Sequence, residues 1–245
     1  MRGLLWWAMA VPLAPLLLIQ GWQTRRSTVR LSPAAGEPRG LAGGALPGEP
    51  LRVLLVGEST VLGGGVAHLE QALVGQLAQA LATRLQRPVA WRICGESGIR
   101  VHEAAQRLLP DALSEPVDCA LLVFGVNDAT GLSSRRRWSA GLERMIVALQ
   151  GHGAQVMLSG VPPLQHFPAL PGLLRALLGW RAALLDGWAR RLAARLGAGH
   201  HAVALRVGAD YLAEDGFHPS ARGYRVWAEA LAERLMAEPR RPPQA

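Results

Sequence analysis

The sequence predicts an α/β fold, a three-layer α/β/α sandwich around a five-stranded parallel sheet, preceded by an N-terminal hydrophobic helix. Three observations predict it. From Leu51 onward, short continuous apolar runs alternate with segments of helical period, as expected of parallel strands buried on both faces and joined by crossover helices. Half of the 245 residues are apolar, enough for a full core, and this length favours one domain with appendages. No internal repeat is visible.

Residues 1–23 stand outside that fold. Leu4 to Ile19 is apolar throughout, with Arg2 before it, Gln20, Arg25 and Arg26 after it, and Trp6, Trp7 and Trp22 near its ends. Tryptophans in those places suit a membrane interface. As a helix, Gly3 to Trp22 would extend about 30 Å, just enough to span a bilayer. The segment reads as an uncleaved membrane anchor, with a cleaved signal peptide as the rival. Against the rival, Ala8-Met9-Ala10 comes too early for cleavage and Ser32-Pro33-Ala34 lies far beyond the run. Either reading places the protein at or beyond a membrane, in a bacterial envelope. Arginines on both flanks leave the orientation open. Residues 24–50, rich in Pro, Gly and Ala between Ser32 and Pro50, read as a flexible linker.

The remainder, residues 51–238, divides into alternating elements. Leu51 to Val56 is the first strand. A helix over about Ala67 to Gln86 follows, with Leu69, Leu73, Leu77, Leu81 and Leu85 four apart. Val89 to Cys94 is the second strand and Val101 to Leu109 a helix. Cys119 to Phe124 is the third strand, followed by a helix over about Trp138 to Gln150. Gln155 to Ser159 is the fourth strand, Leu173 to Leu196 one or two helices, and Ala202 to Val207 the fifth strand. Ala221 to Met236 closes the fold as a helix with Trp227, Leu231 and Leu235 on one face. Residues 239–245 read as a disordered tail.

Charge and cysteine content exclude several functions. The net charge is +8, yet all 26 basic residues are arginine and they are scattered, with one tight run at Arg135-Arg136-Arg137. A nucleic-acid groove needs a concentrated basic stripe with stacking aromatics, so no nucleic-acid partner is expected. Arg135 to Arg137 read as a solvated turn or helix start. Cys94 and Cys119 lack CxxC spacing and are too few for a ligand cluster, and the histidines fit no ligand spacing. No metal or cofactor is expected. The fold places another strand between those of the two cysteines, roughly 9–10 Å of separation, beyond the reach of a disulfide. The redox compartment stays open.

Three polar segments remain: Gly57-Glu58-Ser59, Gly125-Val126-Asn127-Asp128 and Asp215-Gly216-Phe217-His218-Pro219. In open α/β sheets, ligands bind beyond the carboxyl ends of strands, where neighbouring connections diverge. In the flavodoxin-like order 2-1-3-4-5 that crevice lies between the first and third strands. The first two polar segments leave those strands directly. Asp215 stands three residues before His218, so one turn carries a base and a group able to orient it.

These blocks resemble the SGNH hydrolases, the GDSL-type esterase and lipase superfamily, over roughly Leu51 to Met236. Gly57-Glu58-Ser59 is similar to the family's Gly-Asp-Ser block, and Gly98 in Gly95-Glu96-Ser97-Gly98 to its second-block glycine. Gly125 to Asp128 is similar to Gly-x-Asn-Asp, and Asp215 to Pro219 to Asp-x-x-His-Pro. Glu58 departs from the family's Asp, which implies altered local hydrogen bonding. The resemblance implies that Ser59 is the nucleophile, His218 the base and Asp215 its orienting acid. It implies an oxyanion hole from the backbone N–H groups of Ser59 and Gly98 and the side-chain amide of Asn127. The implied activity is cleavage of carboxylic esters or thioesters, on small-molecule, lipid or carbohydrate acyl substrates. Acyl or acetyl transfer and carbohydrate deacetylation are alternatives at the same site, and a non-catalytic membrane-tethered binding module is a further one.

A second Gly-Glu-Ser, ending at Ser97, is the rival nucleophile. It follows the second strand, on the side of the first away from the third, and Ile99 stands where Gly-x-Ser-x-Gly would close. Asp128 reads as a helix cap or a support for the Asn127 loop. His68, His102, His152, His166, His200 and His201 read as surface or loop residues. Val161-Pro162-Pro163 to Trp180 reads as an apolar insertion that lines an acyl pocket, lies against the membrane or packs on the sheet edge.

Overall fold

The computed structural model describes residues 2–29, 31–203 and 209–237. Its strands are β1 (Arg39–Ala42), β2 (Leu51–Gly57), β3 (Val89–Gly95), β4 (Cys119–Val123), β5 (Gln155–Ser159) and β6 (Gly199–His201). They form one sheet in the order β1-β3-β2-β4-β5-β6. β2 to β6 are mutually parallel where paired, and β1 runs antiparallel to β3. Counting from Leu51, the parallel strands therefore follow the predicted order 2-1-3-4-5.

Helices α1 (Arg2–Ala10) and α2 (Ala14–Ser27) precede the sheet. Helices α3 (Leu73–Leu85), α4 (Val101–Arg107), α5 (Leu109–Ala112), α6 (Val126–Thr130), α7 (Arg135–Gly151), α8 (Gly172–Leu196) and α9 (Ala221–Ala237) alternate with or follow its strands. Successive strand residues point to opposite faces, and the core divides accordingly. Leu54, Val56, Leu122 and Leu158 pack with Trp138 and Leu142 of α7 and Leu185 of α8. Val53, Leu55 and Leu121 pack on the other face with Leu77 and Leu81 of α3 and Leu231 of α9. A fully buried leucine such as Leu55 contributes about 1.5–3 kcal/mol through removal from water. The four-residue leucine spacing of α3 becomes its buried face. Leu69 lies in a separate 3₁₀ turn, Leu69–Gln71, rather than in that helix.

Among the described residues the sheet holds the five parallel strands expected and a sixth, antiparallel one, because part of the predicted linker is ordered. Arg39-Gly40-Leu41-Ala42 pairs with Val89 to Arg92. Upstream of it, Ala34 N–H donates to Leu62 O, Ala35 N–H to Ala67 O and Leu69 N–H to Ala35 O. Four half-exposed residues with no apolar run carry no strand signal of their own. Their pairing is decided by a partner distant in sequence.

The N-terminal segment also departs from expectation. α1 and α2 meet at 82°, and among the described residues no single helix is long and apolar enough to cross a membrane. Pro12 and Pro15 explain the break, since proline removes a helix donor and clashes with the preceding turn. Pro15 then sits harmlessly in the first turn of α2. Trp6 Nε1–H donates to Leu177 O of α8 at 2.8 Å. Leu174 N–H donates to the Gln20 side chain at 3.0 Å.

Other expectations meet smaller adjustments. The fifth strand is β6, Gly199–His201; Ala202 and Val203 follow it outside any strand, and the rest of the predicted 202–207 run lies outside the described residues, as does the tail 239–245. Arg135 to Arg137 form the first turn of α7, where Ser134 Oγ accepts the Arg137 N–H. β2 separates the strands of Cys94 and Cys119, and both cysteines are buried. The insertion after β5 buries Val161, Leu164, Phe167 and Leu170 in the core.

Candidate active site

Three chain segments bring polar groups to the carboxyl end of the sheet. β2 ends at Gly57 and delivers Glu58 and Ser59, β4 leads through Phe124 and Gly125 into α6 with Asn127 and Asp128, and the turn before α9 carries Asp215 and His218. Ser59 Oγ lies 2.8 Å from His218 Nε2. His218 Nδ1 lies 2.6 Å from Asp215 Oδ2. A carboxylate can only accept, so Nδ1 carries the imidazole proton and Nε2 is left to accept from the serine hydroxyl.

The Asp215 turn is held from within. Its Oδ1 accepts the backbone N–H of Phe217 at 2.9 Å and of His218 at 3.0 Å, which leaves Oδ2 for the imidazole. Burial alone would raise the Asp215 carboxyl, but the His218 bond and the two backbone donors outweigh it and hold the group below the usual carboxylate range. Phe217 meets Phe167 edge-on at 5.9 Å between centroids, which joins this turn to the insertion after β5.

The segment after Ser59 is fitted closely around the imidazole. A Cβ on Gly64 would stand 2.6 Å from His218 Cδ2, so only glycine allows this approach. Tyr224 of α9, fully buried, donates its hydroxyl to Gly64 O at 2.7 Å, with Thr60 O at 3.3 Å. Burial drives the Tyr224 hydroxyl far above its ordinary range, so it stays a donor. Neither residue belongs to a motif, and their roles arise from spatial neighbours alone.

The second and third blocks are stitched together. Asn127 Nδ2 donates to Ile99 O at 3.2 Å and keeps a second amide hydrogen. Asp128 is fully buried, and its Oδ2 accepts the Val101 N–H at the start of α4. Asp128 therefore ties the loop carrying Gly98 to the loop carrying Asn127, in line with its reading as a cap or loop support. Burial raises its carboxyl above the ordinary range. Gly98 has φ +80° with nothing within 4 Å of its missing side chain, so a left-handed backbone beside open space accounts for this glycine.

Glu58 fills a place the sequence left undefined. It is 3% exposed, and its two carboxyl oxygens accept the backbone N–H groups of Val126 and Asn127, each at 3.0 Å. The side chain thus fastens the residue before Ser59 to the loop of Asn127. Burial pushes its carboxyl up to about 8, against the pull of those donors.

Ser97 is exposed at the end of β3, and the partner of His218 Nε2 is Ser59. His200 is not a surface residue: it lies in β6 with a side chain 8% exposed, and its Nε2 is 3.0 Å from Asp186 Oδ1. Asp186 also accepts the Val161 N–H. Among the described residues no group of three or more His, Cys, Asp or Glu side chains could hold a metal ion.

A hydroxyl, an imidazole and a carboxylate thus stand in sequence at the carboxyl end of a mainly parallel sheet. The chain belongs to the GDSL-like lipase/acylhydrolase family, whose model matches residues 55–226. A GDSL-like esterase of Mycobacterium tuberculosis is 26% identical over 192 residues, 74% of this chain and 60% of that protein. The chain thus spans less than two thirds of that relative's length. Among solved structures, the lipase/acylhydrolase of Enterococcus faecalis matches with a TM-score of 0.62 at 23% identity, over 80% of this chain and all of that one. The esterase EstA of a Pseudoalteromonas species, solved with monoethylphosphonate as inhibitor, matches with a TM-score of 0.59 at 14% identity, over 76% of this chain and 96% of that one. At these identities the structural likenesses establish the fold.

Proposed function

We propose that this chain hydrolyses small carboxylic esters or thioesters through an acyl-enzyme on Ser59. The observation that carries the proposal is the continuous relay from Ser59 Oγ through His218 to Asp215, with contacts of 2.8 and 2.6 Å. In the first half-reaction Ser59 Oγ attacks the acyl carbonyl while its proton passes to His218 Nε2. The imidazolium is stabilised by Asp215 and returns the proton to the leaving alkoxide or thiolate as the carbon–heteroatom bond breaks. Water then repeats the sequence against the acyl-serine, releasing the acid and restoring the hydroxyl.

The negative charge formed on the carbonyl oxygen needs fixed donors that cost no reorganisation. The backbone N–H groups of Ser59 and Gly98 and the second amide hydrogen of Asn127 supply them in this proposal. Its support is the open space beside Gly98 and the anchoring of Asn127 through Ile99 O. Fluorophosphonate labelling tests the assignment. Wild-type protein and Ser97→Ala take up label, and Ser59→Ala does not. Loss of label in Ser97→Ala alone would overturn the choice of nucleophile, and an unlabelled wild type would leave a binding module.

A further inference from the structure

The bent N-terminal helix pair presents two unlike faces. One is committed to the protein: Trp6 is 3% exposed, bonds to Leu177 O through its indole N–H, and lies over the buried guanidinium of Arg181 at 5.1 Å. Gln20 accepts the N–H of Leu174. The other face is apolar and uncovered, with Leu4, Leu5, Met9, Val11, Leu18 and Ile19 each more than half exposed. So dense a set of exposed apolar side chains marks an interaction surface.

Charge identifies what covers it. Arg2, Arg25 and Arg26 lie in the two helices, and no Asp or Glu occurs before Glu37. Arg26 stacks 3.8 Å over the Trp22 ring, so a cation and an interfacial aromatic stand together at the end of α2. Helices with Trp and Leu on one side and Arg beside them suit the boundary between acyl chains and anionic headgroups.

The same geometry argues against a span. α1 has 9 residues and α2 has 14, roughly 13 and 21 Å of helix, each short of a hydrocarbon core of about 30 Å. Straightening the pair would undo the bonds of Trp6 and Gln20 to α8 and uncover Arg181.

We infer that α1 and α2 form an interfacial foot that seats the folded domain on a lipid surface carrying anionic headgroups. The two helices lie in the plane of the interface, sunk about 5–10 Å. Their protein-facing sides stay bonded to α8. This inference is independent of the catalytic proposal, because it is read from binding without turnover.

Vesicle flotation of the full chain tests it. Vesicles of phosphatidylcholine mixed with phosphatidylglycerol carry the protein at least ~10-fold better than phosphatidylcholine alone. The bound protein is released by alkaline carbonate, as an interfacial segment is and a span is not. Leu4→Glu with Leu18→Glu abolishes flotation while the thermal melt and fluorophosphonate labelling stay unchanged. Arg25→Gln with Arg26→Gln weakens binding to anionic vesicles roughly 25-fold, at about fivefold per arginine. Four results overturn the inference: no flotation of folded protein, carbonate-resistant retention with a protease-protected N-terminus, a dimer in light scattering that the Leu4 and Leu18 substitutions dissolve, or a cell-derived chain lacking residues 1–27.

Discussion

Gly64 lies against the His218 imidazole so closely that a methyl group there would stand 2.6 Å from Cδ2 and 2.9 Å from Nε2. The backbone of Gly64 is outside the left-handed region, so alanine could adopt it without strain. Gly64→Ala therefore acts through contact alone. It displaces the ring that bonds Ser59 and lowers kcat/KM on a short nitrophenyl ester by ~10²-fold, the order expected for a misplacement near 1 Å. Thermal stability changes little. An unchanged rate would mean that the ring shifts without losing its serine.

Tyr224→Phe removes the hydroxyl that holds Gly64 O from α9. The buried carbonyl is left unpaired, at a cost of about 1–2 kcal/mol in urea unfolding. Because the released loop borders His218, kcat falls while KM is held within about twofold. A loss of stability with kcat intact would confine Tyr224 to a packing role.

Glu58 couples stability to pH. Its folded carboxyl, raised to about 8 by burial, binds its proton more tightly than the unfolded chain does, with a reference value of about 4.3. Between these values the folded state holds more protons, so stability falls as pH rises from about 4 to 8. Each 1 kcal/mol lost lowers Tm by about 2–4 °C. Glu58→Gln removes this slope, and its amide cannot accept from both Val126 and Asn127, so it also costs about 1–3 kcal/mol. Melting curves of both proteins across this range check the sign.

Asp215 titrates in the opposite sense. Its folded carboxyl lies below the ordinary range, so its contribution is present above about pH 4 and is lost as pH falls through the folded value. Asp215→Asn removes that acid-side loss. It also turns an amide N–H toward His218 Nδ1 and favours the tautomer with Nε2 protonated, which cannot accept from Ser59. A fall in kcat of up to ~10⁴-fold is expected, with binding of a non-hydrolysable ester analogue retained.

The sheet was largely legible because buried parallel strands are continuous apolar runs, and Leu51 to Val56, Cys119 to Phe124 and Gln155 to Ser159 are such runs. Ser59 and Asn127 were legible because they come directly after strand ends, and His218 because it stands just before a recognisable helix start. β1 was not, since four residues without apolar alternation gain their structure from Val89 to Arg92. The bend at Pro12 and Pro15 lay in plain view, but hydropathy alone weighs those prolines as part of an apolar run. Gly64, Tyr224 and the buried Arg181 carry no local pattern, because their significance comes from contacts across the fold. Glu58 stood out as a departure from the family's Asp, yet only folding could reveal that Val126 and Asn127 would share its carboxyl.

β1 gives the stretch before Leu51 a task that a tether does not have. Without it, the backbone groups of Val89 to Arg92 on the outer side of β3 would stand open, and an open strand invites pairing with another molecule's strand. A chain trimmed to begin at Leu51 would keep every residue of the Ser59 relay and lose its guard against self-association. The practical boundary of the domain is set by colloidal behaviour, and it lies upstream of the chemistry.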